Sequence, residues 1–171
     1  MFVRKISCCF FLGLTGLLFS QDLLWPTDAS HLITSTFCEY RPGHFHAGID
    51  IKTWSKTGYK IFAVGDGSVI RIKTSPYNYG RVLFLKLKND MRIVYGHLSN
   101  FSPDIETLVR DEQKRLGRYS LDIHIPDGQL LVKKGDVLGY TGRSGTKAPH
   151  LHFEVRDENN QPFNPFIAGF T

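Results

Sequence analysis

The sequence lacks an apolar run long enough to cross a bilayer comfortably, although it has a shorter one near its start. Residues 6–19 are uncharged and largely apolar, and Arg4 and Lys5 form a basic stretch before them. This pattern predicts a signal peptide over residues 1–20, and hence export to the periplasm, the cell envelope or the medium. Cleavage after Ser20 is expected. The alternative is an uncleaved anchor, which would attach the chain to a membrane through this segment alone.

Cysteine is also scarce, with three in 171 residues. Cys8 and Cys9 fall within the predicted signal peptide, so Cys38 is the only thiol expected in the mature chain. A single thiol excludes an internal disulfide and leaves core packing, with or without a metal, to hold the fold. Cys38 is predicted to be a small buried apolar residue at the start of a strand. The alternative is a fourth metal ligand, because Cys38 lies near His46.

A strong charge imbalance is missing as well. Lysine and arginine total 21 and acidic residues 16; removing Arg4 and Lys5 leaves 21 − 2 = 19 against 16, a net charge of +3. So mild a surplus, spread along the chain, suits an anionic surface without identifying one. No basic run with interleaved aromatic residues is present, so nucleic acid is not a predicted partner. The length fits one domain over residues 21–171 after the targeting segment.

Short β-branched and aromatic runs separated by glycine dominate the mature chain. They predict strands at residues 60–64, 68–72, 81–87, 92–95, 135–142 and 151–156, with turns at 65–67 and 88–90. In the strand near Val82, alternate positions hold Leu83, Leu85 and Leu87, so at least one of its faces is fully apolar. The prediction is an all-β domain of antiparallel sheets with its core at about residues 31–168.

Two histidine-containing motifs have the spacing of a metal site. His150 and His152 alternate on a predicted strand and therefore project from one face. His46 and Asp50 lie four residues apart, which returns both to one side of a helical or an extended backbone. Two imidazoles and a carboxylate suit a catalytic zinc ion whose fourth position holds water. One histidine of the pair is then spare, and it becomes a candidate acid or base.

Further motifs surround these residues in a fixed order. They are Ser35-Thr-Phe-Cys-Glu-Tyr-Arg41, His46-Ala-Gly-Ile-Asp50, Ala63-Val-Gly-Asp-Gly-Ser-Val69, Tyr95-Gly-His-Leu98, Val132-Lys-Lys-Gly-Asp-Val-Leu-Gly139, Thr141-Gly-Arg-Ser-Gly145 and Pro149-His-Leu-His-Phe-Glu154. Together they resemble the lysostaphin-type zinc metallopeptidases, bacterial enzymes that cut peptide cross-links in peptidoglycan. The resemblance covers residues 35–166.

The resemblance implies a role for five residues. It makes His46, Asp50 and His152 the zinc ligands, and it makes His97 and His150 the catalytic histidines that do not bind the metal. It also implies a two-sheet fold with the zinc ion in an open groove. The sequence departs from the family pattern at Cys38, where glycine is common, and in an insertion at about residues 101–128.

The insertion has a helical pattern followed by an alternating one. Ser102, Pro103 and Asp104 predict a helix start, apolar residues follow at helical spacing, and Gly117 can end the helix. Residues 119–125 then alternate as a half-exposed strand. We expect the insertion to bury a small apolar face of its own. It is either surface decoration or a wall or lid of the substrate groove.

The function predicted from these residues is zinc-dependent hydrolysis of peptidoglycan stem or cross-link peptides. No His-Glu-x-x-His helix is present, so a histidine is the expected base. A second hypothesis is a non-catalytic wall-binding or regulatory module that activates other cell-wall hydrolases. A third, a small carrier-like β module around residues 132–136, ranks last because no Met-Lys-Met setting accompanies its lysines.

Other polar residues receive more ordinary interpretations. His31 and His124 are predicted to be surface or core residues without chemistry, whereas His44 could contact substrate. Tyr95 is expected to share a face with His97, as a packing residue or as a donor near the reacting carbonyl. Arg41 is expected either to bind substrate or to pair with Glu39.

Overall fold

The computed structural model describes residues 23–170, whose regular structure is mainly β-strand. The predicted signal peptide, residues 1–20, lies outside the described residues. The strands are β1 Ile33–Ser35, β2 Tyr40–Arg41, β3 His44–Phe45, β4 Ile49–Lys52, β5 Lys60–Phe62, β6 Gly67–Thr74, β7 Val82–Leu87, β8 Arg92–Gly96, β9 Leu98–Phe101, β10 Leu121–His124, β11 Leu131–Val132, β12 Val137–Thr141, β13 His150–Arg156 and β14 Pro162–Phe163. The helix α1 spans Pro103–Leu116, and a 3₁₀ turn spans Pro165–Ala168. Within residues 23–170, no helix combines the length and apolar character needed to cross a membrane.

Two antiparallel sheets form the body of the fold. The larger has nine strands in the order β1-β4-β13-β8-β7-β6-β10, with β11 beside β6 and β14 beside β13. The smaller has the order β5-β12-β9, and β2 and β3 form a separate ribbon. The predicted all-β class with antiparallel sheets is therefore confirmed. The ribbon adds a third small sheet to the two that were expected.

The core lies between the two main sheets. Alternate residues of the central strands, such as Leu83, Tyr95 and Phe153, are fully buried there against Ile61 and Leu98 of the smaller sheet. Burial of a large apolar side chain contributes roughly 1.5–3 kcal/mol. The opposite face of the larger sheet carries a smaller buried cluster of Val82, Phe84 and Val94. The predicted apolar face of β7 is confirmed, and the strand is also largely apolar on its other side.

The insertion forms α1 and the edge strand β10. The predicted helix start and end are confirmed, with Gly117 at φ 62° as the C-cap. The expectation that the insertion buries an apolar face of its own is wrong. Ile105, Val109 and Leu121 belong to the main core cluster, because α1 packs beside β9 and β10 extends the nine-stranded sheet.

Cys38 differs from its prediction. It is exposed and precedes β2 at φ 61°, where its backbone N–H donates to the carbonyl of His46 at 2.9 Å. A left-handed backbone favours glycine, since a side chain there costs roughly 1–2 kcal/mol. The glycine of the family pattern fits this turn, and the cysteine occupies the same turn with its thiol towards solvent.

Candidate metal centre

Neighbouring strands bring His46, Asp50 and His152 to one point. Asp50 of β4 lies directly opposite His152 of β13, so their side chains share one face of the sheet. His46, just after β3, completes the group. Its Nε2 lies 3.2 Å from Asp50 Oδ1 and 3.0 Å from His152 Nδ1, and His152 Nδ1 lies 3.0 Å from Asp50 Oδ1.

The triangle of donor atoms fits a tetrahedral zinc ion. Ligand atoms about 2.0–2.1 Å from such an ion lie roughly 3.3 Å from one another, close to the three separations found here. The three residues are buried, with 2%, 6% and 5% of their surface exposed for His46, Asp50 and His152. Two nitrogens and one carboxylate oxygen, hidden from water and converging on one point, could hold a metal and leave its fourth position open.

Hydrogen bonds behind the two histidines fix the nitrogen that each presents. Nδ1 of His46 lies 2.8 Å from the carbonyl oxygen of Thr36, so Nδ1–H donates there and Nε2 keeps its lone pair. In His152 the arrangement is reversed, because Nε2–H donates to Glu154 at 2.8 Å and leaves Nδ1 free to bind. Partners of this kind orient metal-binding imidazoles and raise their basicity.

Glu154 is a buried carboxylate for which no role was predicted from the sequence. It is fully buried and also accepts hydrogen bonds from Tyr79 at 2.5 Å and from Arg156 at 2.6 Å. Burial opposes its charge, but the bonds from His152 and Arg156 prevail and lower the pKa of Glu154. The signal was present in the sequence, since alternation along β13 places Glu154 on the face of His152.

Arg41 pairs with a candidate ligand and not with Glu39, which was one of the two alternatives expected for it. Its Nη2 lies 2.7 Å from Asp50 Oδ2 and 2.8 Å from Ser35 Oγ. Burial would raise the pKa of Asp50, but its close contacts with the rings of His152 and His46 hold that pKa well below its usual range. Arg41 therefore occupies the second oxygen of Asp50 and leaves Oδ1 to the centre.

His97 enters the site because the strand breaks where it stands. β8 ends at Gly96, β9 begins at Leu98, and His97 between them has φ 61°. The expectation that Tyr95 shares its face is wrong, because this break interrupts the alternation. Tyr95 lies in the core, where its hydroxyl accepts a bond from the Val64 N–H at 3.3 Å, and its packing role is confirmed.

His97 and His150 form a pair beside the triangle, with ring centroids 4.6 Å apart. Nδ1 of His97 lies 2.8 Å from the carbonyl oxygen of Ser144, and Nδ1 of His150 lies 3.0 Å from that of Ala148. Each Nδ1 therefore carries the proton, and each Nε2 is an acceptor. Burial lowers the pKa of both rings, that of His97 to about 4, with the charge of His150 contributing. Both rings are thus neutral near pH 7.

These residues lie in a groove whose walls come from four segments. The lining residues are Arg41, His44, His46, Ala47, Lys73, Ser75, Tyr77, Asn78, Tyr79, Gly80, His97, Gly145, Thr146, His150 and His152. The insertion at residues 101–128 supplies none of them, so its interpretation as a groove wall is wrong. The loop at residues 75–80, which the sequence analysis left without a role, forms the wall instead.

The remaining histidines follow their predictions in part. His44 lines the groove, as a residue in contact with substrate would. His31 stacks on Trp25 with ring centroids 4.8 Å apart, and exposed His124 lies 3.4 Å from Asp122. Neither lies among the residues that line the groove.

Comparison with curated proteins gives relatives of two kinds. The DD-carboxypeptidase/endopeptidase Mpg of Neisseria meningitidis serogroup B is 31% identical over 121 residues, which cover 70% of this chain and 22% of Mpg. The murein hydrolase activator NlpD of Escherichia coli K12 is 28% identical over 132 residues, which cover 77% of this chain and 27% of NlpD. The chain thus spans about a quarter of the length of these relatives.

Solved structures and family models give further matches. A zinc containing peptidase from Vibrio cholerae superposes with a TM-score of 0.60 at 28% identity, covering 86% of this chain and 39% of that one. The model for Peptidase family M23 matches residues 44–120 and 119–165, which include all five candidate residues. The chain therefore belongs to peptidase family M23, in agreement with its resemblance to the lysostaphin-type enzymes.

Proposed function

We propose that this protein is an exported zinc-dependent endopeptidase that hydrolyses peptide bonds in peptidoglycan stem or cross-link peptides. The observation that carries the proposal is the triangle of His46, Asp50 and His152 with two neutral histidines beside it. In both His97 and His150, Nδ1 is bound to a backbone carbonyl, so the unprotonated Nε2 lies on the opposite side of the ring. Ligand atoms and proton acceptors therefore lie in one open groove.

The proposed zinc ligands are His46 through Nε2, Asp50 through Oδ1 and His152 through Nδ1. When bound, zinc would supply Lewis acidity, which lowers the pKa of a coordinated water to about 7 and polarises a carbonyl. Thr36 and Glu154 hold the two imidazoles in the tautomers that this requires. Arg41 fixes the remaining oxygen of Asp50.

His97 and His150 carry the proton transfers in this proposal. A neutral ring with a free Nε2 takes a proton from the attacking water and afterwards returns one to the leaving amine. Once protonated, the ring also stabilises negative charge on the tetrahedral carbonyl oxygen. Asp50 Oδ1 lies 3.5 Å from His150 Nε2 and favours the charged form of that ring.

The second candidate function is activation of other cell-wall hydrolases, and the similarity to NlpD favours it. Peptide hydrolysis is preferred because an activator needs neither a complete ligand triangle nor the two histidines beside it. The two candidates differ in what the purified protein does to substrate by itself.

Digestion of purified sacculi separates the two functions. The chain without residues 1–20 should release peptide fragments, lose this activity on chelation and regain it with one equivalent of zinc. A His150→Ala variant should release them about 10²–10⁴-fold more slowly while keeping its zinc. If the zinc-loaded protein releases nothing alone but increases the products formed by an added wall hydrolase, the activator function replaces the enzymatic one.

A further inference from the structure

The loop between β12 and β13 is anchored by the hydroxyl group of Ser144. This oxygen accepts a hydrogen bond from the backbone N–H of Arg81 at 2.8 Å and donates one to the carbonyl of Leu98 at 2.8 Å. Leu98 directly follows His97, and Arg81 directly follows the groove wall at residues 75–80. One side chain therefore ties this loop to both segments.

The backbone of this loop packs closely against the groove wall at residues 75–80. A Cβ atom on Gly80, at φ 62°, would lie 2.3 Å from the carbonyl group of Ser144. A Cβ atom on Gly145, at φ 70°, would lie 2.3 Å from the carbonyl oxygen of Asn78. Both distances are far below van der Waals contact, so glycine is required at each position. The interlocked backbones fix where the Ser144 carbonyl points.

The carbonyl oxygen of Ser144 accepts a hydrogen bond from Nδ1–H of His97, with 2.8 Å between the oxygen and the nitrogen. A neutral imidazole has one donor and one acceptor nitrogen, and the partner of one nitrogen decides the role of the other. With Nδ1–H bound to Ser144, Nε2 of His97 remains an acceptor. His97 also packs against His152, with ring centroids 5.7 Å apart, so its orientation is fixed relative to the triangle.

An ion pair joins the same loop contacts to the inserted helix. Arg81 is nearly buried, and its guanidinium group pairs with Glu106 in the first turn of α1 and lies 4.6 Å from the ring centre of Phe101. Glu106 also accepts the backbone N–H of Phe101 at 3.0 Å. Contacts therefore run without interruption from Glu106 through Arg81 and Ser144 to His97.

We propose that Ser144 is a positioning residue for His97, and that the Arg81–Glu106 ion pair extends this support to the inserted helix. Together they hold His97 in the Nδ1–H tautomer, with Nε2 available to the centre. The inference rests on the proposed function only for what His97 then does to substrate. The insertion lines no part of the groove. It supports the site indirectly, through the contacts from Glu106 to Arg81, Ser144 and His97.

Nitrogen NMR of the histidine rings tests this directly. In zinc-loaded protein labelled with ¹⁵N-histidine, the His97 signals, assigned by their loss in His97→Gln, should show the Nδ1–H tautomer. Ser144→Ala should shift them towards the Nε2–H tautomer or an exchanging mixture, while zinc content stays at the parent value. Ser99→Ala is the matched control, because the Ser99 hydroxyl also donates to backbone carbonyls, but to those of Tyr140 and Thr141 in β12.

Glu106→Gln tests the support from the insertion, and it remains informative if Ser144→Ala does not fold. An amide keeps the acceptor for Phe101 but removes the charge opposite Arg81, so the His97 signals should again move. Glu112→Gln, which loses an exposed ion pair within α1, should leave them in place. Unchanged His97 signals in both Ser144→Ala and Glu106→Gln, or an Nε2–H tautomer in the parent, would overturn the inference.

Kinetics separate this inference from the proposed function. A misplaced acid–base group should lower kcat by about 10–100-fold in Ser144→Ala and leave KM within about twofold of the parent value. A changed tautomer without any fall in kcat would show that the contacts do not support catalysis. If the tautomer responds but the parent protein hydrolyses no peptide, the positioning inference stands and the enzymatic proposal fails.

Discussion

In the middle of strand β13, both faces are buried but they are chemically opposite. On one face, Leu151, Phe153 and Val155 are fully buried in the main core. The ring of Phe153 lies 5.7 Å from that of Tyr95 and 5.0 Å from that of Phe170. On the other face, His152 and Glu154 are also buried but are held by hydrogen bonds and ion pairs.

The contrast separates stability from function within a single strand. Burial of apolar surface stabilises the fold directly, whereas a buried charge costs free energy that its partners only offset. A strand selected for stability alone would be apolar on both faces, as β7 largely is. The polar face of β13 is therefore the face on which the proposed function depends, and substitutions on the two faces should have different consequences.

The largest effect is expected at the ligand triangle. His46→Ala, Asp50→Ala and His152→Ala should each strip or greatly weaken bound zinc and lower peptide hydrolysis about 10³-fold or more, because the Lewis acid is lost. Metal analysis and initial rates measure both properties. His124→Ala, an exposed histidine on β10, is the control that should keep both. Full zinc retention in all three ligand variants would remove the proposed coordination set.

The next effect concerns the two histidines beside the triangle. His97→Ala and His150→Ala should keep zinc and fold but lose about 10²–10⁴-fold in turnover, the usual contribution of a positioned acid or base. Steady-state kinetics with parallel zinc determination measure this. Parent rates in both variants would contradict the proton-transfer roles. Loss of zinc in His150→Ala would mean that the ligand and non-ligand members of the His150–His152 pair are exchanged.

The apolar face should show the opposite behaviour. Phe153→Ala leaves a cavity between Tyr95 and Phe170 and should lower the free energy of unfolding by about 3–5 kcal/mol. Zinc stoichiometry and kcat per folded molecule should stay near the parent values, because Phe153 points away from the centre. Denaturant unfolding combined with rates at low temperature gives both quantities. Loss of zinc from the folded variant would show that the two faces are coupled.

Sequence reasoning was strongest where periodicity is local. Alternation in β13 correctly places His150 and His152 on one face, and the turn signals correctly predict where α1 begins and ends. Two predictions were wrong for a related reason: the burial of Cys38 and the shared face of Tyr95 and His97. Cys38 and His97 both have positive φ, so the chain leaves the regular path of a strand at each of them.

Contacts between distant segments were beyond sequence reasoning. The pairing of Arg41 with Asp50 depends on how the β2–β3 ribbon folds over β4, and no residue spacing encodes that. The groove wall at residues 75–80 and the Glu106 contact with Arg81 likewise join segments through tertiary packing. The spacing of apolar residues predicted the helix and the strand of the insertion. It could not predict whether their apolar side chains pack in the main core or in a separate cluster.

The smallest expected effect is a pH dependence of stability caused by His97. Burial lowers the pKa of His97 to about 4 in the folded protein, whereas an unfolded histidine titrates at about 6.5. As pH falls through this window the unfolded chain binds the proton first, so the free energy of unfolding decreases with falling pH.

His97→Gln removes this titration and can still donate to the Ser144 carbonyl. Between pH 7 and pH 5 it should therefore lose less stability than the parent, by on the order of 1 kcal/mol. Urea unfolding at several pH values with zinc maintained measures the difference. Identical pH dependence in the two proteins would show that folding does not lower the pKa of His97. It would then contradict the assignment of His97 as a neutral ring whose Nε2 accepts a proton.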